Sequence, residues 1–235
     1  MEIQAIKTKI FPPRHNLVEF IRTNIKTLPN KSILVVTSKI VALSEGRVSF
    51  YKNEKAKIAL IKSESDWAIK TKHAWLTIKD GMILPSAGID ESNGDGQIIS
   101  LPKNSFRTAQ TLRQTLKKLY KIKNLGIIIT DSRVLPLRAG AVGIALGYAG
   151  FKGARDYRGK PDIFGRKLKI SRTDVADSLA TAAVVLMGEG KEKQPLAIIK
   201  NAPVEFTERV NRRELRIDIK DDLFYPLFKN IKTAR

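Results

Sequence analysis

Two uninterrupted apolar runs, SILVV at 32–36 and LGIIIT at 125–130, constrain this chain more than any other feature. Runs of this length and composition, bounded by polar residues, read as buried strands. The second run passes straight into Asp131 and Ser132. A carboxylate at the carboxyl end of a buried strand is a frequent active-site placement, because ligands bind outside such strand ends. Further strands are expected at IISLP (98–102) and PLAII (195–199), and HAWLTIKDGMILP (73–85) reads as two strands around a Lys79-Asp80-Gly81 turn. The Gly/Ala-rich segment 141–153 is expected to be partly extended.

Helical periodicity lies between these runs. Asn16 followed by Glu19 forms a capping box, after which Leu17, Phe20, Ile21 and Leu28 share a face that stops near Pro29. Helices are also expected over 54–63, over 104–120 through Phe106, Ala109, Leu112, Leu116 and Leu119, and over 173–187 through Ala176, Leu179, Ala180, Ala183 and Met187. Strands and helices mix without a regular βαβ period, so the fold class is α+β. A single domain over 1–235 is expected; a boundary, if present, falls on the helix side of the 87–96 loop or near residue 160. A charged C-terminal segment ends in the apolar patch LFYPLF (223–228).

Composition narrows the chemistry. There is no cysteine, which removes disulfides, thiolate metal sites and cysteine nucleophiles. Lys and Arg number 43 against 23 Asp and Glu, a formal charge of +20. These bases are scattered singly and in pairs, with no recognition-helix signature, RNP-like aromatic box or long basic tail. Solvated surfaces and attraction of an anionic small substrate therefore precede a nucleic-acid partner as explanations. The N-terminal stretch has no apolar signal region and no run approaches the length of a membrane span, so a cytoplasmic protein is expected.

Three stretches carry oxygen chemistry. AGIDESNGDG (87–96) offers Asp90, Ser92, Asn93 and Asp95, short side chains suited to a hard cation. It fails as an EF-hand: counted from Asp90, the sixth position is Asp95 and the twelfth Leu101. Any cation there needs ligands from elsewhere, and the loop alone is an ordinary turn. TDS (130–132) supplies the Asp131 carboxylate and the Ser132 hydroxyl. LMGEGKEKQP (186–195) supplies Glu189 between glycines that let backbone approach a phosphate, although a helix C-cap explains the same spacing. No Walker A, Rossmann or G-x-S-x-G pattern occurs. His15 reads as a surface residue and His73 as a strand residue, so neither zinc nor a hydrolase triad is supported.

Taken jointly, SKIVALSEGR (38–47), AGIDESN (87–93), IIITDS (127–132), RAGAVGIALGYAG (138–150), DYRGKPDIFGRKLKIS (156–171), DVADSLATAAVVLMGEG (174–190) and PLAII resemble, in order, the coenzyme F-420:L-glutamate ligase family. The resemblance covers roughly residues 8–200. It implies the mixed-sheet α+β fold of that ligase type, in an intertwined homodimer. It implies joining of L-glutamate to an anionic carboxylate acceptor, a deazaflavin coenzyme precursor, with GTP as co-substrate and two Mn²⁺ or Mg²⁺ ions per site. Carried over residue by residue, Asp90, Asp131, Ser132 and Glu189 match metal positions. Thr8, Lys9, Ile10, Phe11, Ser38, Lys39, Asn93, Met187 and Gly188 match nucleotide contacts. Glu91 and Asp95 are left as solvated turn residues.

The departures bear on specificity. Many members carry a nucleotide-binding Lys where this chain has Leu43, and Asn-Gly-Arg where it has Arg133-Val134-Leu135. The acidic run after Met-Gly-Glu has become Lys191-Glu192-Lys193. Another acceptor, such as a folate-like pterin, and a non-catalytic basic nucleotide- or RNA-binding relative are the alternatives these changes raise.

Overall fold

In the computed structural model of the protein, which describes residues 1–94 and 96–228, the elements run β1 (Glu2–Ile6), α1 (Leu17–Asn24), β2 (Ser32–Thr37), α2 (Ser38–Ser44), β3 (Val48–Ser49), α3 (Glu54–Ser63), β4 (Trp67–Lys70), β5 (Trp75–Lys79), β6 (Met82–Pro85), β7 (Ile98–Ile99), α4 (Ser105–Leu119), β8 (Leu125–Val134), β9 (Ala141–Ala149), β10 (Ala154–Asp156), β11 (Arg172–Asp174), α5 (Val175–Met187), β12 (Leu196–Lys200) and α6 (Tyr225–Phe228). The class is α+β. A five-stranded mixed sheet in the order β1-β12-β2-β8-β9 dominates it, and β4-β5-β6, β3-β7 and β10-β11 form smaller sheets. In the large sheet β2 and β8 pair in parallel; its other pairings are antiparallel.

The apolar runs lie on central strands covered on both faces. Leu34, Val36, Ile127 and Ile129 enter one core with residues of α1, α2 and α4; Ile33, Val35, Ile128, Ala197 and Ile199 enter another with α5. Side chains alternate across a strand, so a strand buried on both sides needs no polar positions.

A β-bulge at Ile129/Thr130 shifts the β8–β9 register, opposing Ile129 to Gly147 and Thr130 to Ala145. The extra residue, Leu146, reverses which face β9 presents. Two glycines of the same parity therefore meet different helices. A Cβ at Gly143 would lie 2.7 Å from the Ala180 carbonyl oxygen of α5, and one at Gly147 would lie 2.4 Å from the Ser105 carbonyl carbon of α4. Both sites need glycine for close helix approach.

The cap expected at Asn16 is present, and Asn104 and Asp174 cap α4 and α5 in the same way. Asn16 accepts from the Glu19 amide at 3.1 Å, Asn104 from Arg107 at 2.9 Å and Asp174 from Asp177 at 2.9 Å. Other expectations change. The helix expected from 173 starts at Val175, because Thr173 and Asp174 pair with β10 and Asp174 is the cap. The strand expected over 98–102 is only Ile98–Ile99, since Pro102 lacks an amide and Ser100 donates instead to Arg47 O. His73 is in an exposed bend before β5, not in a strand, while His15 is exposed as expected. The strand through 125–130 continues to Val134, carried on by pairing with β9.

Residues beyond β12 strap the molecule. Phe206 bridges Phe151, and Thr207 N donates to Gly150 O at 3.0 Å. Glu208 accepts two bonds from the buried Arg113 guanidinium, both 2.8 Å, and Glu214 accepts from Tyr148 Oη at 2.6 Å and Gly153 N at 2.7 Å. Within LFYPLF, Leu223 and Leu227 are exposed. Among the described residues, no helix is long and apolar enough to cross a membrane.

Candidate functional site

The parallel pair β2/β8 ends at Thr37 opposite Thr130, and β8 runs on paired only with β9. At this step β2 turns into α2, which puts Ser38 and Lys39 beside the edge of β8 that β2 no longer covers. Successive strand residues point to opposite faces. Asp131 accordingly faces α2 and accepts from Ser38 Oγ at 2.8 Å, while Ser132 faces the other side and donates to Glu189, just beyond α5. Asp131 thus stands one residue past the end of pairing with β2, while on its other edge β8 continues paired with β9.

The acidic loop approaches from the third side. Asp90 is held by reciprocal backbone bonds to Ile99, N to O at 3.0 Å and O to N at 2.9 Å. Its carboxylate accepts from Ser92 N at 2.7 Å and Ser92 Oγ at 3.0 Å. Lys39 Nζ then closes the group, 2.6 Å from Asp90 Oδ2, 2.8 Å from Ser92 O and 3.1 Å from Ser92 Oγ. Asn93, at a positive φ of 53°, donates to Gly190 O at 3.4 Å and so links this loop to the one after α5.

Gly188 ends α5 at φ 79°, turning the chain into the cleft wall. Glu192 folds back to accept from Gly190 N at 2.8 Å. Thr8 N donates to Lys193 O at 2.8 Å, which ties the Thr8–Phe11 segment to the same wall. The result is one cleft of about 880 Å³. Thr8, Lys9, Ile10 and Phe11 line it, with Ser38 and Lys39, with Asp90 and Asn93, with Asp131 and Ser132, and with Met187, Gly188 and Glu189. Every residue that the family resemblance assigns to metal or nucleotide therefore meets in one place.

The electrostatics of the two aspartates diverge. Burial opposes ionisation of both. At Asp90 the Lys39 ammonium and the Ser92 amide and hydroxyl outweigh it, holding the carboxyl below its usual range. At Asp131 burial prevails over the Ser38 and Ser132 hydrogen bonds, and the nearby Asp90 charge adds to it, pushing the carboxyl up to about 6.

Whether this arrangement suits a divalent cation is tested by what already occupies it. The Lys39 ammonium is a stand-in cation seated among three oxygens, and the surrounding donors are carboxylates and hydroxyls, as hard cations require. The residues fit. They do not form a closed cage: among the described residues no three carboxylate or imidazole groups gather closely enough to hold a metal by themselves.

Some features were not legible beforehand. Glu91 is not simply solvated; it pairs with Lys57 at 2.8 Å, anchoring the acidic loop to α3. Asp95 lies outside the described residues. Leu43, Lys191, Glu192 and Lys193 also line the cleft, so two of the three departures from the family pattern lie at the site, whereas Arg133, Val134 and Leu135 do not line it.

The chain matches the family model described as F420-0:Gamma-glutamyl ligase over residues 5–201. It is 33% identical to the Coenzyme F420:L-glutamate ligase of Methanococcus maripaludis strain C7 over 207 residues, covering 80% of this chain and 83% of that protein. It is 30% identical to the Archaeoglobus fulgidus protein of the same name over 207 residues, 80% and 82% of the two chains. Against the Methanocaldococcus jannaschii protein it is 42% identical over 138 residues, 59% of this chain and 55% of that one. On this extent of similarity, the chain belongs to the F420-0:Gamma-glutamyl ligase family.

Proposed function

We propose that this protein is a GTP-dependent γ-glutamyl ligase that joins L-glutamate to a carboxylate of a deazaflavin coenzyme precursor. The observation that supports this reading is the convergence of Ser38–Asp131, Lys39–Asp90 and Ser132–Glu189 in one cleft, from segments far apart in sequence. In the proposed reaction an acceptor carboxylate oxygen bonds to the γ-phosphorus as its bond to GDP breaks. The glutamate amine then attacks the acyl phosphate carbon, phosphate leaves, and the amine gives up a proton.

The residues divide the work. Asp90, Asp131, Ser132 and Glu189 would hold a divalent Mn²⁺ or Mg²⁺, which would supply charge neutralisation at the phosphate oxygens. Ser38 orients the Asp131 carboxylate. Lys39 and Lys9 offer positive charge to the nucleotide, and Phe11 with Met187 supplies apolar wall. The exposed Lys191 and Lys193 in the cleft lining suit an anionic acceptor. Those lysines also favour a second reading, in which the acceptor is another anionic carboxylate such as a folate-like pterin.

We also propose a homodimer. Leu137, Ile163, Phe164 and Ile170 are strongly exposed, on the β8–β9 arm and the 157–171 segment. Apolar side chains left in this state favour a partner surface.

The test is a turnover screen with Mn²⁺ and L-glutamate, varying acceptor and nucleoside triphosphate. GDP and phosphate release that requires glutamate, acceptor and metal supports the reading. Nucleotide binding without turnover on any carboxylate acceptor contradicts it.

A further inference from the structure

Lys39 makes a complete set of contacts in a place that the proposed function assigns to another cation. An ammonium has three donors, and Asp90 Oδ2, Ser92 O and Ser92 Oγ take all three. The same contacts engage both oxygens of Asp90: one accepts the Ser92 amide, the other accepts Ser92 Oγ and Lys39. The charges balance locally as one lysine against one aspartate. By contrast Lys9, Lys191 and Lys193, lining the same cleft, make no ion pair among the described residues.

We propose that Lys39 is an internal counter-ion that holds the cation position at Asp90 and yields it only when metal and nucleotide arrive together. This rests on the metal-dependent reading above. Metal alone must displace an ammonium that has nowhere comparable to go. A metal–nucleotide complex brings phosphate oxygens that accept the displaced ammonium, so one ion pair exchanges for another. The geometry permits the exchange. Lys39 is the second residue of α2, so its backbone is fixed, while its side chain retains 25% exposure and Asp90 41%. A four-carbon stem can swing without moving the helix.

A purely structural salt bridge predicts the opposite behaviour. If Lys39 only braces the acidic loop, removing it loosens Asp90 and weakens metal binding. The experiment is Mn²⁺ binding to the full chain, followed by the electron paramagnetic resonance signal of free Mn²⁺, with and without GDP. In the unsubstituted protein GDP should raise Mn²⁺ affinity. In Lys39→Met, Mn²⁺ alone should bind roughly tenfold tighter and the gain from GDP should shrink, within the usual range of coupling between two ligands. Lys193→Met, which removes an equal charge from the same cleft, should leave Mn²⁺ affinity within about twofold. Lys39→Gln serves as a second variant, and thermal melting checks that both are folded. Equal or weaker Mn²⁺ binding in both Lys39 variants overturns the proposal while leaving the metal reading standing. An equal rise in Lys193→Met also overturns it, because charge alone then accounts for the effect. Absence of Mn²⁺ binding in every protein, with or without GDP, overturns the metal reading and this proposal with it.

Discussion

Ser38 and Asp131 lie 93 residues apart in sequence and are joined by a 2.8 Å hydrogen bond where parallel pairing of β2 and β8 stops. The bond does not restore Asp131 to ordinary acidity; burial, reinforced by Asp90, leaves its carboxyl at about 6. A raised carboxyl is a cost to the folded state above its unfolded value of 3.8, fully felt once pH exceeds about 6 and absent below about 3.8. Asp131→Asn removes the charge but keeps an acceptor for Ser38. In metal-free protein the variant should be more stable than the parent at pH 7.5, by on the order of 1–3 kcal/mol. The difference should vanish near pH 3.5. GTP turnover should fall by more than the roughly 10–100-fold typical of losing a metal's outer partner. Urea unfolding at the two pH values and phosphate release check both halves; a less stable variant at pH 7.5 contradicts the electrostatic account.

The contrast between this pair and Lys39–Asp90 indicates what a sequence can disclose. The runs SILVV and LGIIIT are legible as buried strands because nothing polar interrupts them. The cap Asn16 is legible because a short polar side chain three residues before a glutamate, ahead of an apolar periodicity, has few other uses. Helix α2 is not, since SKIVALS is two turns long and apolar on most sides, satisfying strand and helix periodicity alike. The candidate residues are individually visible, yet Asp131 facing Ser38 and Ser132 facing Glu189 depends on strand parity at one point of β8. The Lys39 partners include a backbone carbonyl, Ser92 O, which no residue pattern encodes. Glu45 and Arg47, within a family block, serve the fold: Glu45 accepts from Lys103 N and Thr108 Oγ1, and Arg47 donates to Leu101 O and Glu64.

Glu208 lies past residue 201, where the family match ends, but its partner Arg113 is almost fully buried in α4. Arg113 and Lys117 hold the Glu208 carboxyl down at about 2, against an ordinary 4.5. Its contribution is therefore present above about pH 4.5 and is lost as pH falls toward 2. Glu208→Gln leaves the Arg113 guanidinium without its counter-charge. The Glu208 side chain is 68% exposed, so screening limits the loss to about 1–2 kcal/mol at pH 7, shrinking on acidification. Denaturant midpoints at pH 7 and pH 3 measure this. An unchanged midpoint at pH 7 would mean that water replaces Glu208 without loss.

Gly147 tests the bulge. Its absent Cβ leaves room for the start of α4, and an added methyl would sit 2.4 Å from the Ser105 carbonyl carbon and 2.5 Å from Phe106 N. Neither is a flexible side-chain end, so the helix must shift. Gly147→Ala should cost at least about 1–3 kcal/mol. Gly96→Ala, where nothing lies within 4 Å of the added atom but φ is 77°, is the comparison: strain without a clash, costing about 1 kcal/mol. Thermal unfolding of the two variants should rank them in that order.

Leu43 lines the cleft at the position where the resemblance to the ligase family implies a nucleotide-binding lysine. Its side chain also packs against the core beneath α1 and α4. A lysine stem retains much of that packing and brings its ammonium toward the cleft, so Leu43→Lys should remain folded with a stability loss of about 1 kcal/mol. The Leu43 carbonyl bonds from Arg14 N and Gly46 N do not involve the side chain and should persist. If the nucleotide phosphates lie along this wall, a cation added there lowers the KM for GTP by roughly tenfold, the equivalent of about 1.4 kcal/mol. Because the gain is Coulombic in a partly open cleft, it should diminish between 0.05 and about 0.5 M salt, as the screening length shortens from roughly 14 to 4 Å. The readout is the KM for GTP against salt, with kcat expected to stay within about twofold because ground and transition states gain equally. A KM unchanged at low salt places the phosphates away from Leu43, against the wall formed by Lys9, Lys191 and Lys193.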